Sequence, residues 1–388
     1  MTVRRRDPHD LWPLIDERAA DPEIAATLSH VLRLANSDWA GDDILDLASP
    51  HTQALLERHR ISTLVPLALV EPPHREWLRQ QHLAVAAVHM RIRSAATTVL
   101  SLLDEAGIET RVLKGLATAE LDYPNHQLRH TGDVDLAVRP GDLERAVEIL
   151  RDNNHRIQPT PGLGRADGAT RPSPSQHPAL LRGWTLDAPN GVEVDLHNRL
   201  FLRSAFDDEL FADPGEQLHT LPGRALRAEH RLVHAAGHFM IAQPGTRRMS
   251  GVVDIARLIR RADVDLDLDE ARRFAAALGV ESLVCAGLRV EAQLSGRTEV
   301  LNALDEWRQP DWLDRTTYVA AHRRLLLEHL GRFREVPRGQ RLRFIPTWML
   351  PTANRRRLLQ ASAKAAVSRV RAGASRAAAG GRRREVRQ

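Results

Sequence analysis

Apolar residues along the chain follow two rhythms. Between Glu76 and Ala106 they recur every three or four positions, at Leu78, Leu83, Val85, Val88, Ile92, Ala95, Val99 and Leu103, which predicts one long amphipathic helix. Helical spacing also runs from His51 to Leu69, and Asp21-Pro22-Glu23 has the acceptor side chain and fixed φ that open a helix. Gly107 ends the long helix, and beyond it the period drops to two. Ile108 to Leu113 reads as a strand, Leu116 to Leu121 as a short helix and Thr131 to Val138 as a second strand. Leu143 to Asn153 then reads as a helix, opened by Pro140-Gly141-Asp142. Two further alternating segments, Trp184 to Asp187 and Val192 to Leu196, flank Pro189-Asn190-Gly191, whose Asn-Gly pair tolerates the positive φ of a hairpin turn. The stretch from Gln158 to Gln176 is crowded with Pro, Gly, Ser and Thr and reads as a long loop.

After about residue 205 the helical rhythm returns, over Glu229 to Ala242, Gly251 to Ala262, Asp267 to Leu278 and Trp312 to Leu330. The expected organisation is a helical region over 1–106, an α/β module over 107–204, a second helical region over 205–350 and a basic tail over 351–388. The fold class is therefore α/β, in the α+β sense, with a mixed β-sheet between helical flanks.

Composition narrows the function. A hydrophobic share of 43% is enough to bury a core. The single cysteine, Cys285, excludes an intrachain disulfide and a cysteine-based zinc site, and suits a reducing compartment. No apolar run approaches the roughly 18 residues of a membrane helix, and the basic cluster Arg4-Arg5-Arg6 has no apolar segment behind it. A cytoplasmic protein without a membrane partner is expected. The net charge of +5 is unevenly spread, because residues 355–388 carry eleven bases against one acid while the remaining residues hold 44 bases and 49 acids. The positive charge belongs to the tail, which reads as disordered. An arginine-rich tail offers a contact for RNA or another acidic surface, although a solvated extension is the simpler reading. Only two of the 55 bases are lysines, Lys114 and Lys364. Lysine is a compact point charge where arginine is a wide fork, so Lys114, inside a patterned segment, calls for a reason.

That reason lies in its neighbours. Asp133 and Asp135 stand two apart on a strand and project to one side, with Val134 and Leu136 on the other. Close carboxylates repel unless a cation bridges them, and oxygen-rich sites suit Mg²⁺. On the later strand Glu193, Asp195 and His197 share a face. If the strands are neighbours, Asp195 joins Asp133 and Asp135 in a site for one or two divalent ions. Lys114-Gly115 lies between a strand and a helix, where glycine permits close backbone approach and helix amides attract phosphate. Arg129 offers a charge that offsets the acids or holds a phosphate. His197 either lines the cleft or fixes the strand end. His234 and His238, one helical turn apart beside Phe239 and Met240, read as packing histidines, with Asp254 on the next helix to cap or pair with them.

The order Val112-Leu113-Lys114-Gly115, Tyr123-Pro124, Arg129-His130-Thr131-Gly132-Asp133-Val134-Asp135-Leu136 and Val194-Asp195-Leu196-His197 resembles the uncharacterised nucleotidyltransferase family of the DNA polymerase β-type superfamily. The resemblance implies a minimal nucleotidyltransferase fold with a mixed β-sheet. It further implies that Asp133, Asp135 and Asp195 are catalytic and hold Mg²⁺, with Mn²⁺ the alternative, and that Asp195 helps to deprotonate the acceptor. Lys114 and Gly115 match the family's phosphate-side motif, so Lys114, Gly115 and Arg129 are the expected nucleotide-binding residues. The implied activity moves a nucleoside monophosphate from an NTP, such as ATP, to an acceptor hydroxyl or phosphate and releases pyrophosphate. A similar order occurs in nucleotidyltransferase toxins that modify RNA, a second reading that gives the tail a use. A non-catalytic nucleotide-binding or scaffold protein is the third.

Overall fold

The structure, a computed structural model, describes residues 50–158, 183–201, 209–241, 248–260 and 266–308. The helices expected near Asp21 and over Trp312 to Leu330, nearly all of the loop after Gln158, and the basic tail lie outside the described residues.

The chain opens with α1 (Pro50–Arg58) and two 3-10 turns, Ser62–Leu64 and Leu67–Leu69. One helix from His51 to Leu69 was the expectation, and the structure corrects it: Arg60 sits at φ +55, and Pro66 has no N–H to continue the ladder. The amphipathic segment forms α2 (Arg75–Glu105), and Gly107 leaves it at φ +69, where glycine carries no Cβ penalty. Then follow β1 (Thr110–Val112), α3 (Lys114–Leu121), β2 (Val134–Val138), α4 (Leu143–Asp152), β3 (Arg156–Ile157), β4 (Gly183–Asp187) and β5 (Glu193–His197). The hairpin turn between β4 and β5 has Gly191 at φ +77. A short α5 (Glu209–Ala212) leads to β6 (Glu216–Gln217) and β7 (Arg224–Ala225). The described chain ends in α6 (Ala228–Ile241), α7 (Met249–Arg260), α8 (Leu268–Ala277), α9 (Glu281–Ser295) and α10 (Thr298–Ala303).

The strands make one seven-stranded mixed sheet in the order β3-β4-β5-β2-β1-β7-β6. The pairs β2–β5 and β1–β7 are parallel and the others antiparallel. This bears out the α/β class and the mixed sheet. Alternation then sorts the side chains. On one face Val112, Val134, Leu136, Val194 and Leu196 have no exposure, and they join Ile92, Val99 and Leu103 of α2 and Leu143, Ala146 and Leu150 of α4 in one core. Burying each of these Val, Leu and Ile side chains contributes about 1.5–3 kcal/mol, so the face toward α2 and α4 fixes the register of β2 against β5. On the other face Leu113 and Ala137 belong to a second core built from α6, α7, α8 and α9, in which α6 packs against the other three. Helix α9 is buried nearly all round, from Ser282 to Leu288 and again from Val290 to Ala292, so it has no amphipathic stripe to read. No helix of the described residues is long and apolar enough to cross a membrane.

Candidate active site

The second face of the sheet is where the polar positions of β2 and β5 emerge. The two strands run parallel with Asp135 opposite Asp195 and Ala137 opposite His197. Asp133, just before β2, falls on the same side by alternation. The strands are adjacent, and the acids converge. Ligand atoms of Asp133, Glu193 and Asp195 lie within 4.8 Å of one another, and so do those of Asp135, Asp195 and His197. Asp195 belongs to both groups. The first is all oxygen, the donor type that hard divalent cations such as Mg²⁺ take. The residues present therefore fit a divalent cation.

Lys114 completes the corner. It opens α3 at φ +43, a region that non-glycine residues seldom occupy, and its Nζ donates to Asp135 Oδ1 at 2.6 Å. His197 Nε2 donates to the same oxygen at 2.7 Å, and both the imidazole and the carboxylate are buried. His197 lines the cavity, and its bond to Asp135 ties β5 to β2. Across the hairpin, Thr185 stands opposite Asp195 and donates to its Oδ1 at 2.5 Å.

The acids differ in how readily they give up their protons. Burial pushes the Asp133 carboxyl up to about 6, with the Asp135 charge adding to the rise. Burial also raises Asp195; Thr185 opposes it and the charge of Asp135 reinforces it. At Asp135 burial acts in the same direction, but Lys114 and His197 outweigh it and hold this carboxyl well below its usual range. The Asp135 charge is thus balanced by Lys114 and His197, whereas Asp133 and Asp195 carry buried negative charge with less to offset it.

Gly115 is buried in the first turn of α3. A Cβ there would stand 2.9 Å from Thr131 Cγ2 and 3.2 Å from Arg129 Nη1. Glycine thus lets the loop before β2 close on the helix, whatever else its backbone does. Arg129 in that loop grips α7: Nε and Nη2 donate to Asp254 Oδ1 and Oδ2 at 3.2 and 2.7 Å, and Nη1 donates to the carbonyl of His130. Tyr123 Oη donates to Asp254 Oδ1 at 2.8 Å, and the Arg257 guanidinium lies 4.6 Å over the Tyr123 ring. Burial, then Asp254, keep the Tyr123 hydroxyl protonated far above its usual range. Asp254 therefore pairs with Arg129 and Tyr123. His234 and His238 meet edge to face at 6.1 Å, His234 meets Phe201 edge-on at 5.8 Å, and both line the same cavity as His197.

Asp133, Asp135, Asp195, His197, Lys114, Gly115 and Arg129 all line one cavity of about 430 Å³. Sequence reasoning did not single out Arg60, Arg231 or Arg248, which line it too, nor Thr185. It placed Glu193 on the correct face without giving it a role. Thr185 was reachable through the hairpin register. Nothing in the pattern around Arg60 or Arg248 pointed to the cavity.

None of the curated proteins matches the chain. A family model covers residues 37–296, more than half of its length, and by that match the chain belongs to the uncharacterised nucleotidyltransferase family.

Proposed function

We propose that this protein transfers a nucleoside monophosphate from an NTP to an acceptor hydroxyl or phosphate and releases pyrophosphate, with Mg²⁺ at its carboxylates. The observation that carries this reading is that Asp195 comes within ligand distance of Asp133 and Glu193 in one group and of Asp135 and His197 in another, on two register-matched strands beside Lys114. A bound divalent cation would supply charge neutralisation for a triphosphate and for the attacking oxygen. The residues themselves do the rest. Asp133, Asp195 and Glu193 present the oxygen donors. Lys114 and His197 fix the Asp135 carboxylate in one orientation, so that little rearrangement is needed when substrate arrives. Lys114 and Gly115 line the cavity, where the charge and the first amides of α3 would meet the phosphates, and Arg129 holds the loop that carries Asp133.

In the transfer, the acceptor oxygen bonds to the α-phosphorus, the bond from that phosphorus to the bridging oxygen breaks, and pyrophosphate leaves with the bonding pair. Asp195 takes the proton of an acceptor hydroxyl, a role supported by the upward shift of its carboxyl.

The test is incubation of the full chain with each α-labelled NTP, Mg²⁺ and a cell extract, with RNA included because of the +10 tail balance. Label should appear on a macromolecule or small acceptor, with one pyrophosphate released per label. Absence of transfer from all four nucleotides would contradict the proposal.

A further inference from the structure

Besides the acids, the cavity is lined by a group of cations that forms a second, basic wall. Arg60, Arg129 and Arg248 line the same space as Asp133. They come from three separate parts of the chain: the turn after α1, the loop before β2 and the residue before α7. The first and third parts are stitched together. Arg248 Nη1 donates to the Arg58 carbonyl at 3.1 Å, the Ser250 amide to the His59 carbonyl at 3.2 Å, and the Met249 amide to His59 Nδ1 at 3.3 Å. The loop part is tied to α7 by the Arg129–Asp254 pair. Arg60 reaches across to the loop before Asp133, its Nη1 standing 3.7 Å from where a Cβ of Gly132 would lie.

The three guanidiniums differ in how far the protein already satisfies them. Each nitrogen of Arg129 has a protein acceptor, so this residue acts on the cavity mainly through its charge. Arg248 gives Nη1 to a neutral carbonyl. No carboxylate lies within salt-bridge distance of Arg60 or Arg248 among the described residues. Their field is strong enough to matter next door, because burial and the charges of Arg60, Arg129 and Arg248 depress the neighbouring His130 to about 4. Arg60 and Arg248, which repel each other and have no carboxylate at salt-bridge distance among the described residues, offer a binding site for a multiply charged anion.

We propose that Arg60 and Arg248, backed by Arg129, form the phosphate-binding wall of the cavity and take a phosphate-bearing substrate, either the triphosphate of the nucleotide or a phosphate on the acceptor. This deepens the transferase reading and rests on it for the identity of the substrate, but the wall itself stands apart from the carboxylates. The phosphate grip expected of Arg129 passes largely to two residues outside the α/β module.

The test uses the full chain in metal-free buffer. Inorganic tripolyphosphate, ATP and inorganic phosphate are titrated calorimetrically into the wild type and into Arg60→Gln and Arg248→Gln. Tripolyphosphate should bind the wild type, and each substitution should weaken it about tenfold, the worth of one charge-assisted contact. Arg60→Lys, which keeps the charge, should recover part of the affinity. If ATP weakens in parallel, the wall holds the triphosphate. If ATP is unchanged while inorganic phosphate binding in saturating ATP is lost, it holds an acceptor phosphate. Equal binding of all three anions by wild type and variants, or no binding to the wild type, overturns the proposal. Arg60→Gln removes a repelled cation and should melt no lower than the wild type; should it unfold, Arg60→Lys and Arg248→Gln carry the test. Loss of tripolyphosphate binding in a chain that transfers no label would sink the transferase reading and leave the wall. Intact affinity with intact Mg²⁺-dependent transfer would do the reverse.

Discussion

The two walls of the cavity are built by opposite means. The acidic wall is two neighbouring strands, and a backbone ladder places Asp135 opposite Asp195. Its geometry is set by an apolar face, with Val134, Leu136, Val194 and Leu196 fully buried behind it. The basic wall has no such frame. Arg60, Arg129 and Arg248 are distant in sequence and are brought together by side-chain and backbone bonds between loop and helix ends. Each wall concentrates like charge, and Asp133 is where the two fields meet: it raises the proton affinity of Arg60 in partial opposition to burial and to the other arginines. The comparison teaches that the strands supply precision, whereas the helical region supplies countercharge and fastens the loop that carries Asp133.

The largest effect should come from the acidic wall. Asp133→Asn removes a donor that the protein itself has not neutralised, so transfer should fall about a thousandfold or more, the size expected when several kcal/mol of metal-borne stabilisation are lost. The same change should stabilise the metal-free protein. The folded carboxyl is raised to about 6, so its contribution to stability is complete below its unfolded value and is lost as pH rises through about 6. Thermal melts in chelator should show the variant above the wild type at pH 7 and level with it near pH 4. A variant that melts lower at pH 7 would contradict the poorly offset buried charge assigned to Asp133.

Asp135→Asn should behave in the opposite way. Here the folded carboxyl is depressed, so its contribution is present above the unfolded value and lost as pH falls through the folded one. Removing the charge strands Lys114 and His197 beside a neutral amide, and chemical denaturation should register a loss of about 3 kcal/mol. Two acids that look alike in Asp-Val-Asp thus separate into one acid the fold relies on and one it tolerates.

Asp254→Asn probes the link between the walls. It weakens a bidentate pair and one acceptor of the Tyr123 hydroxyl, for an expected loss of about 2 kcal/mol by denaturation. Unchanged stability would mean that Arg129 is held by the loop itself. The smallest effect is on pH dependence: because the donors must be deprotonated to take a cation, divalent-ion affinity of the wild type should weaken as pH falls through about 6, the value at Asp133, in calorimetric titrations. A flat profile between pH 5 and 7 would contradict it.

The legibility of the molecule follows the same division. Period two along 131–138 and 192–196, with Asn190-Gly191 between β4 and β5, was enough to place three acids on one side, because alternation is a local rule. Adjacency of β2 and β5 was an inference that only the structure could bear out, since pairing order is not local. The short strands β3, β6 and β7 carry two residues each, too few for a pattern. Helix α9 lacked a polar stripe, and the end of α1 at Arg58 was hidden by apolar residues that continue at helical spacing into 3-10 turns. Arg60 and Arg248 were invisible because arginine is common throughout this chain, and position in space alone distinguishes them.

The central claim is that Asp195, shared by both groups of donor atoms, completes a divalent-cation site with Asp133 and Glu193, beside Asp135. Calorimetric titration of Mn²⁺ into the metal-free full chain at pH 7.5, for wild type and Asp195→Asn, tests it most directly. The account predicts saturable binding to the wild type that weakens at least about a hundredfold in the variant. Equal affinity in the two proteins, or no binding to the wild type, would contradict it.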